Sequence, residues 1–107
     1  GISMKGILVE PGKAPVVATL PDTLWGIENR LGYPCEMIVL PRTPAVLFFG
    51  RYTGPIQPAS LFNRRYRGRN LLGSILCYGW KGNNIQPMSK ALLDEMLDRL
   101  SGTEVRV

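Results

Sequence analysis

Residues 4–20 read MKGILVEPGKAPVVATL, two apolar runs on either side of a turn signal. Residues 7–9 are consecutive and apolar, which indicates a strand that is covered on both faces. Proline and glycine follow at Glu10-Pro11-Gly12-Lys13, in the order that suits a type II turn, whose twist does not match a tight hairpin. We therefore expect a strand over residues 4–10, a longer or bulged loop, and a return strand over residues 15–20.

Two helices are predicted outside this opening pair. Asp22 is an N-cap residue type, apolar residues follow it at helical spacing, and Gly32 suits the end of a helix. Ser89 and Gly102 mark the second helix in the same way. The predicted core positions, with Trp25 packed beside the first helix, are Ile7, Val9, Leu24, Ile27, Ile38, Leu47, Ile75, Leu93 and Leu97.

Further strands are predicted over residues 35–40, 45–49 and 71–78, and residues 50–68 are predicted as a long irregular loop. The pattern indicates the α+β class: a mostly antiparallel sheet of about five strands with two helices packed on it, in the order ββαββ–loop–βα. Residues 1–3 precede Met4 and are interpreted as a cloning remnant. Residues 4–101 are expected to form a single domain, and residues 102–107 a short C-terminal tail.

Composition limits the chemistry of the chain. Its 107 residues are 45% hydrophobic and 20% charged, as in folded domains. No apolar run approaches the ~18 residues of a membrane span, and no secretory leader is visible, so a cytoplasmic protein without membrane contact is expected. The absence of histidine excludes histidine triads and histidine–zinc sites. Cys35 and Cys77 lie in apolar runs and are expected to be reduced, buried thiols. No enzyme, cofactor or metal site is predicted.

The charge of +5 is unevenly distributed. No acidic residue occurs from Met37 through Leu93, and arginines outnumber lysines nine to four. The planar guanidinium suits bidentate contacts with phosphate. Four arginines lie between residues 64 and 69 with a tyrosine among them, and in a loop they could converge on an anion. The predicted ligand-binding residues are Arg51, Tyr52, Asn63, Arg64, Arg65, Tyr66, Arg67, Arg69, Trp80 and Lys81.

Several motifs resemble an uncharacterised family, domain of unknown function 3846, found among phages, plasmids and conjugative elements. The opening strand with its valine-glutamate-proline-glycine turn, Asp22-Thr23-Leu24 before a short helix, and Asn63-Arg64 before Gly73-Ser74-Ile75-Leu76 carry the resemblance. It covers roughly residues 4–100. It implies a mobile element and a bacterial host, and it implies no activity.

Three binding functions fit these observations. The first is non-catalytic binding of a phosphate-bearing ligand, above all a small signalling nucleotide that a phage could sequester. The second is nucleic-acid binding, which usually relies on a broader basic field. The third is a protein-interaction or inhibitor module that docks on an acidic partner. A homo-oligomer is an additional expectation, because small binding domains often place their sites between subunits.

Overall fold

One antiparallel sheet carries both helices in the computed structural model, which describes residues 3–32 and 34–107. Over these residues the chain forms eight strands, two α-helices and a 3₁₀ turn at Ala59–Leu61. The strands are β1 (Ser3–Val9), β2 (Val16–Pro21), β3 (Cys35–Val39), β4 (Ala45–Gly50), β5 (Phe62–Tyr66), β6 (Arg69–Leu72), β7 (Ile75–Lys81) and β8 (Asn84–Gln86); the helices are α1 (Leu24–Leu31) and α2 (Lys90–Arg99).

The main sheet has the strand order β2-β1-β7-β4-β3, and β8 pairs with the end of β7. Every pairing between these strands is antiparallel, with Ile7 opposite Cys77 and Leu47 opposite the same cysteine on the other side. The predicted α+β class and mostly antiparallel sheet are confirmed. The Glu10–Lys13 turn also forms, since the Lys13 amide donates to the Glu10 carbonyl at 3.1 Å.

Alternation along the central strands creates two hydrophobic cores, one on each face of the sheet. Leu47 and Phe49 of β4 face the core that α2 covers, whereas Val46 and Phe48 face the core that α1 covers. Among the predicted core positions, the buried ones are Ile7, Val9, Ile27, Leu47, Ile75 and Leu93. Ile38 and Leu97 are only partly buried. The central strands are therefore covered on both faces, as their continuous apolar runs indicate.

The first helix differs from its prediction in three respects. Thr23, not Asp22, is the N-cap, and its Oγ1 accepts from the Gly26 amide at 3.1 Å. Leu24 is 57% exposed and Trp25 is 75% exposed, so neither belongs to the core. Trp25 lies two positions before the buried Ile27, which is about 200° around the helix, and therefore faces water. The second helix is capped by Ser89 as predicted, its Oγ accepting from the Leu92 amide.

The predicted loop over residues 50–68 ends in a hairpin that the sequence analysis missed. Strands β5 and β6 pair in a separate two-stranded sheet, with a bulge between Phe62 and Arg64. Arg67 and Gly68 form the tight turn at φ values of 48° and 81°, as a type I′ turn requires. The predicted strand over residues 71–78 is divided by Gly73, whose φ is +72° and whose added Cβ would lie 2.5 Å from the Tyr52 hydroxyl.

The C-terminal segment packs against this hairpin. The Arg65 amide donates to the Thr103 carbonyl at 2.7 Å, and the Val105 amide donates to the Arg65 carbonyl at 2.8 Å. Val105 is 4% exposed and belongs to the core beneath α2. Residues 102–107 thus contribute to the packed structure. Strand β5 is therefore paired along both edges, with β6 on one side and with this segment at Arg65 and Glu104 on the other.

The two cysteine side chains have different environments. Cys77 is fully buried, as predicted, and burial raises the pKa of its thiol to about 12. Cys35 is only half-buried, contrary to prediction, because it lies on the edge strand β3. Burial and the nearby Glu28 still raise the pKa of the Cys35 thiol. Both thiols are free. Within the described residues, neither helix is long and apolar enough to cross a membrane.

Candidate functional site

The structure does not bring the ten predicted ligand-binding residues together. They are distributed over four places: two cavities, the hairpin tip and the far end of β7. The hairpin divides the cluster, because Arg64 and Arg65 lie on β5 whereas Arg69 lies on β6. Arg67 lies in the turn between the two strands. The single convergent site predicted from the arginine cluster is therefore not formed. The first cavity includes Asn63, Arg64 and Arg65, and the second includes Arg51, Tyr52 and Arg69.

Asn63 is buried and connects three parts of the main chain. Its side-chain amide donates to the Val9 carbonyl at 2.8 Å and to the Gly73 carbonyl at 2.7 Å. Its Oδ1 accepts from the Arg64 guanidinium at 3.0 Å. These bonds join β5 to the end of β1 and to the connection between β6 and β7. Asn63 is therefore a structural residue of the cavity wall.

Arg64 is 5% exposed and is held by oxygen atoms of neutral groups. Its Nε donates to the Leu100 carbonyl at 2.9 Å, and its Nη2 donates to the Lys13 carbonyl at 2.7 Å. Its Nη1 donates to the carbonyl and the side-chain oxygen of Asn63. The Arg64 guanidinium thus connects the β1–β2 turn, β5 and the end of α2 through hydrogen bonds. One of its five N–H groups has no acceptor among the residues that the structure describes.

The charge of Arg64 has no acidic partner in the described part of the chain, where all six salt bridges involve other residues. Burial lowers the pKa of the Arg64 guanidinium from its usual value, although an arginine stays protonated in proteins. Carbonyl dipoles stabilise a buried cation, but they do not neutralise it. Arg64 therefore contributes a full positive charge at the wall of the first cavity.

The first cavity has a volume of about 690 Å³ and lies between the β1–β2 turn, β5 and the C-terminal segment. Its charged lining residues are Lys13, Arg64, Arg65 and Glu104. Arg65 and Glu104 approach to 3.7 Å with about half of each side chain exposed, which makes their ion pair weak. The Arg65 Nε donates to the Asn70 side chain at 3.0 Å. Three cations against one carboxylate make this cavity suitable for an anion.

The second cavity, of about 170 Å³, has Glu36 as its one acidic lining residue among those that the structure describes. Arg69 donates to the Glu36 carboxylate at 2.7 Å and Arg51 lies 3.5 Å from it. The hydrogen bond from Arg69 holds the pKa of Glu36 below its usual value. The Arg69 guanidinium also lies over the Phe49 ring, 5.0 Å from its centroid. Both arginines share one carboxylate of the protein, so half of their charge is compensated, whereas Arg64 has no acidic partner in the described part of the chain.

The other predicted residues lie apart from both cavities. Arg67 is at the hairpin tip with its guanidinium 5.5 Å from the Tyr66 ring centroid, and Tyr66 packs on the core beneath α2. Trp80 packs partly against the core beneath α1, and Lys81 is exposed. The last two residues stand at the other end of β7, about 20 Å along the strand from its start. They do not share a site with the arginines.

Sequence reasoning missed three contributors to these cavities. Lys13 was recognised only as part of a turn, Glu104 as part of a tail, and Glu36 as a strand residue. Each comes from a segment distant in sequence from the arginine cluster, so their proximity depends on tertiary packing. Two valines, Val105 and Val107, were the sequence signal that the C-terminal segment docks, and Val105 is the buried one. Within residues 3–32 and 34–107, no group of three His, Cys, Asp or Glu side chains could hold a metal ion.

In comparisons with known proteins, the chain matches no family model, no curated protein and no solved structure. The resemblance to the domain of unknown function 3846 therefore stays a prediction.

Proposed function

We propose that this chain is a non-catalytic binding protein for a phosphate-bearing ligand, which it holds in the first cavity. The observation that carries the proposal is the buried guanidinium of Arg64, whose charge has no acidic partner among the described residues and lies in the wall of an open cavity. An anion in that cavity would supply the missing counter-charge. We also propose, from the family resemblance, that the protein acts for a phage or mobile element in the cytoplasm of a bacterial host.

The remaining charges of the cavity support the same ligand class. Lys13 and Arg65 line it from two different segments, and the weak contact of Arg65 with Glu104 leaves its guanidinium available to a stronger partner. A hydrogen bond between a charged group and its partner contributes about 1.5–3 kcal/mol. Phosphate oxygens accept several such bonds at once, and arginine is well shaped to donate them.

The test is isothermal titration calorimetry of the full chain with inorganic phosphate, AMP and a short single-stranded oligonucleotide, at about 50 and 200 mM salt. We expect phosphate and AMP to bind, with a shallow dependence on salt. Arg65→Ala and Lys13→Ala should each weaken binding roughly ten- to a hundred-fold, from the loss of one charge-assisted bond.

Two variants serve as matched controls. Arg67→Asn removes the same charge from the same hairpin, and asparagine tolerates the positive φ of that position. Lys81→Ala removes a lysine at the far end of β7. Both should bind as wild type does. No binding of any phosphate compound, or equal losses in the controls, would overturn the proposal. Binding of the oligonucleotide alone, with a steep salt slope, would replace it with nucleic-acid binding.

A further inference from the structure

The first cavity is larger and chemically more varied than a site for inorganic phosphate requires. Its volume of about 690 Å³ falls within the ~300–1,000 Å³ range of pockets for organic ligands. Beside the cationic wall it contains one aromatic ring, Phe62, and one carboxylate, Glu104. A ligand that satisfies all three features needs an anionic group, a flat apolar surface and hydrogen-bond donors.

We infer that the ligand is a nucleotide, with its phosphate at the Arg64 wall, its base against Phe62, and its ribose hydroxyls or base amine at Glu104. This inference rests on the phosphate-binding function proposed above. It adds the chemical class of the ligand and the orientation in which the cavity holds it.

Phe62 is suited to stack on a base. It is the first residue of β5, it lines the cavity, and its side chain is 44% exposed. Arg64 is two positions further along the same strand, just after the bulge, and lines the same cavity. The ring and the buried charge thus belong to one rigid segment, which β6 and the C-terminal segment hold on both sides. An aromatic side chain can stack on any base, because every base has a π-face.

Glu104 provides the selective contact. A carboxylate repels phosphate and accepts hydrogen bonds from hydroxyl and amino groups, so an anion cavity that contains one favours a ligand with donors. The Arg65–Glu104 separation of 3.7 Å leaves each group free for a better partner. A bound nucleotide would place its phosphate beside Arg65 and its donors beside Glu104, replacing one weak pair with two stronger contacts.

The experiment compares AMP, ribose 5-phosphate and inorganic phosphate by titration calorimetry. We expect AMP to bind at least about ten-fold more tightly than ribose 5-phosphate, which lacks the base. Phe62→Ala should remove that difference and leave the affinity for inorganic phosphate unchanged, whereas Phe62→Tyr should keep it. Trp25→Ala, which removes an exposed ring from the opposite face of the sheet, is the matched control and should bind AMP normally.

Glu104 is tested by a variant of equal size. Glu104→Gln should bind inorganic phosphate more tightly, because a repulsive charge is gone, and should bind AMP less selectively relative to phosphate. Glu95→Gln on the outer face of α2 makes the same change in charge. It should change neither the affinity for inorganic phosphate nor the preference for AMP over phosphate. Thermal melts of all variants establish that each is folded at the temperature of the titration.

The outcomes separate this inference from the function on which it rests. Equal affinities for AMP and ribose 5-phosphate, together with sensitivity of both to Arg65→Ala, would overturn the nucleotide and leave phosphate binding in place. A uniform loss for all three ligands in Phe62→Ala would likewise remove the stacking role. Failure of every phosphate compound to bind would overturn the proposed function itself.

Discussion

Replacing Arg64 with methionine should destabilise the fold by about 2–4 kcal/mol. Methionine keeps an unbranched stem of similar length and removes the guanidinium, so its four hydrogen bonds to Leu100, Lys13 and the two Asn63 oxygens are lost. A buried acceptor left without a donor costs about 1–3 kcal/mol. The Lys13 carbonyl adjoins the first cavity and can be rehydrated, whereas the Leu100 and Asn63 oxygens are more enclosed. Removal of an uncompensated buried charge offsets part of the loss.

Arg64→Lys separates the contribution of the planar guanidinium shape to stability from the contribution of its charge. An ammonium group retains the charge but presents its donors from a single point, so it cannot span three segments of the main chain. We expect it to cost about 1–2 kcal/mol, between wild type and Arg64→Met, whereas Arg65→Ala should stay within about 0.5 kcal/mol because that side chain is half exposed.

The assay is urea unfolding followed by circular dichroism. A shifted midpoint at constant m-value reports a change in the free energy of unfolding, and the expected loss is a large part of the ~5–15 kcal/mol of a typical domain. A loss under about 1 kcal/mol for Arg64→Met would refute the claim that Arg64 ties the structure together. An Arg64→Lys variant as stable as wild type would show that a positive charge at this position, without the guanidinium geometry, is sufficient for stability.

Three other expectations follow from burial and charge. Native Cys77 should resist a thiol reagent that labels the half-buried Cys35, as mass spectrometry of the partly labelled protein would show; faster labelling of Cys77 would contradict its burial. The folded-state pKa of Glu36 lies below its usual value of 4.5, so its stabilising effect is complete above that pH and is lost as the pH falls through the lowered pKa. Urea unfolding at about pH 7 and pH 3 should accordingly give a smaller difference for Glu36→Gln than for wild type, and an unchanged difference would refute the role of the Arg69 bond. Met96→Ala should cost about 2–5 kcal/mol, since Met96 is fully buried, and Leu97→Ala should cost less; the reverse order in the same assay would contradict the packing of α2.

The arginines of the hairpin differ in their surroundings. Arg64 is directed inward and organises the main chain, while Arg65 and Arg69 face different cavities from neighbouring strands. Residues that look equivalent in sequence therefore differ in burial and partner. Mutational work on this protein should vary them individually, because a variant that removes the whole cluster would not separate an effect on folding from an effect on the proposed binding.

Local signals in the sequence were sufficient for most of the secondary structure. The apolar runs of β1, β4 and β7, the turn at residues 10–13, and the Ser89 cap are all local, and periodicity with turn chemistry predicts them without knowledge of the neighbours. The hairpin over residues 62–72 escaped prediction because its strands carry polar residues inward. Asn63 and Arg64 are buried only because carbonyl groups of other segments accept their hydrogen bonds.

The amino-acid sequence by itself determined the α+β class, the mostly antiparallel sheet and the concentration of positive charge between residues 51 and 69. Tertiary structure alone decided which arginine is buried, which carboxylates approach the cluster, and where a cavity remains. Lys13, Arg64 and Glu104 are separated by tens of residues, and no local pattern encodes their meeting. Their proximity depends on how the β1–β2 turn and the C-terminal segment dock on β5, which is a long-range packing outcome and the reason the first cavity could not be predicted.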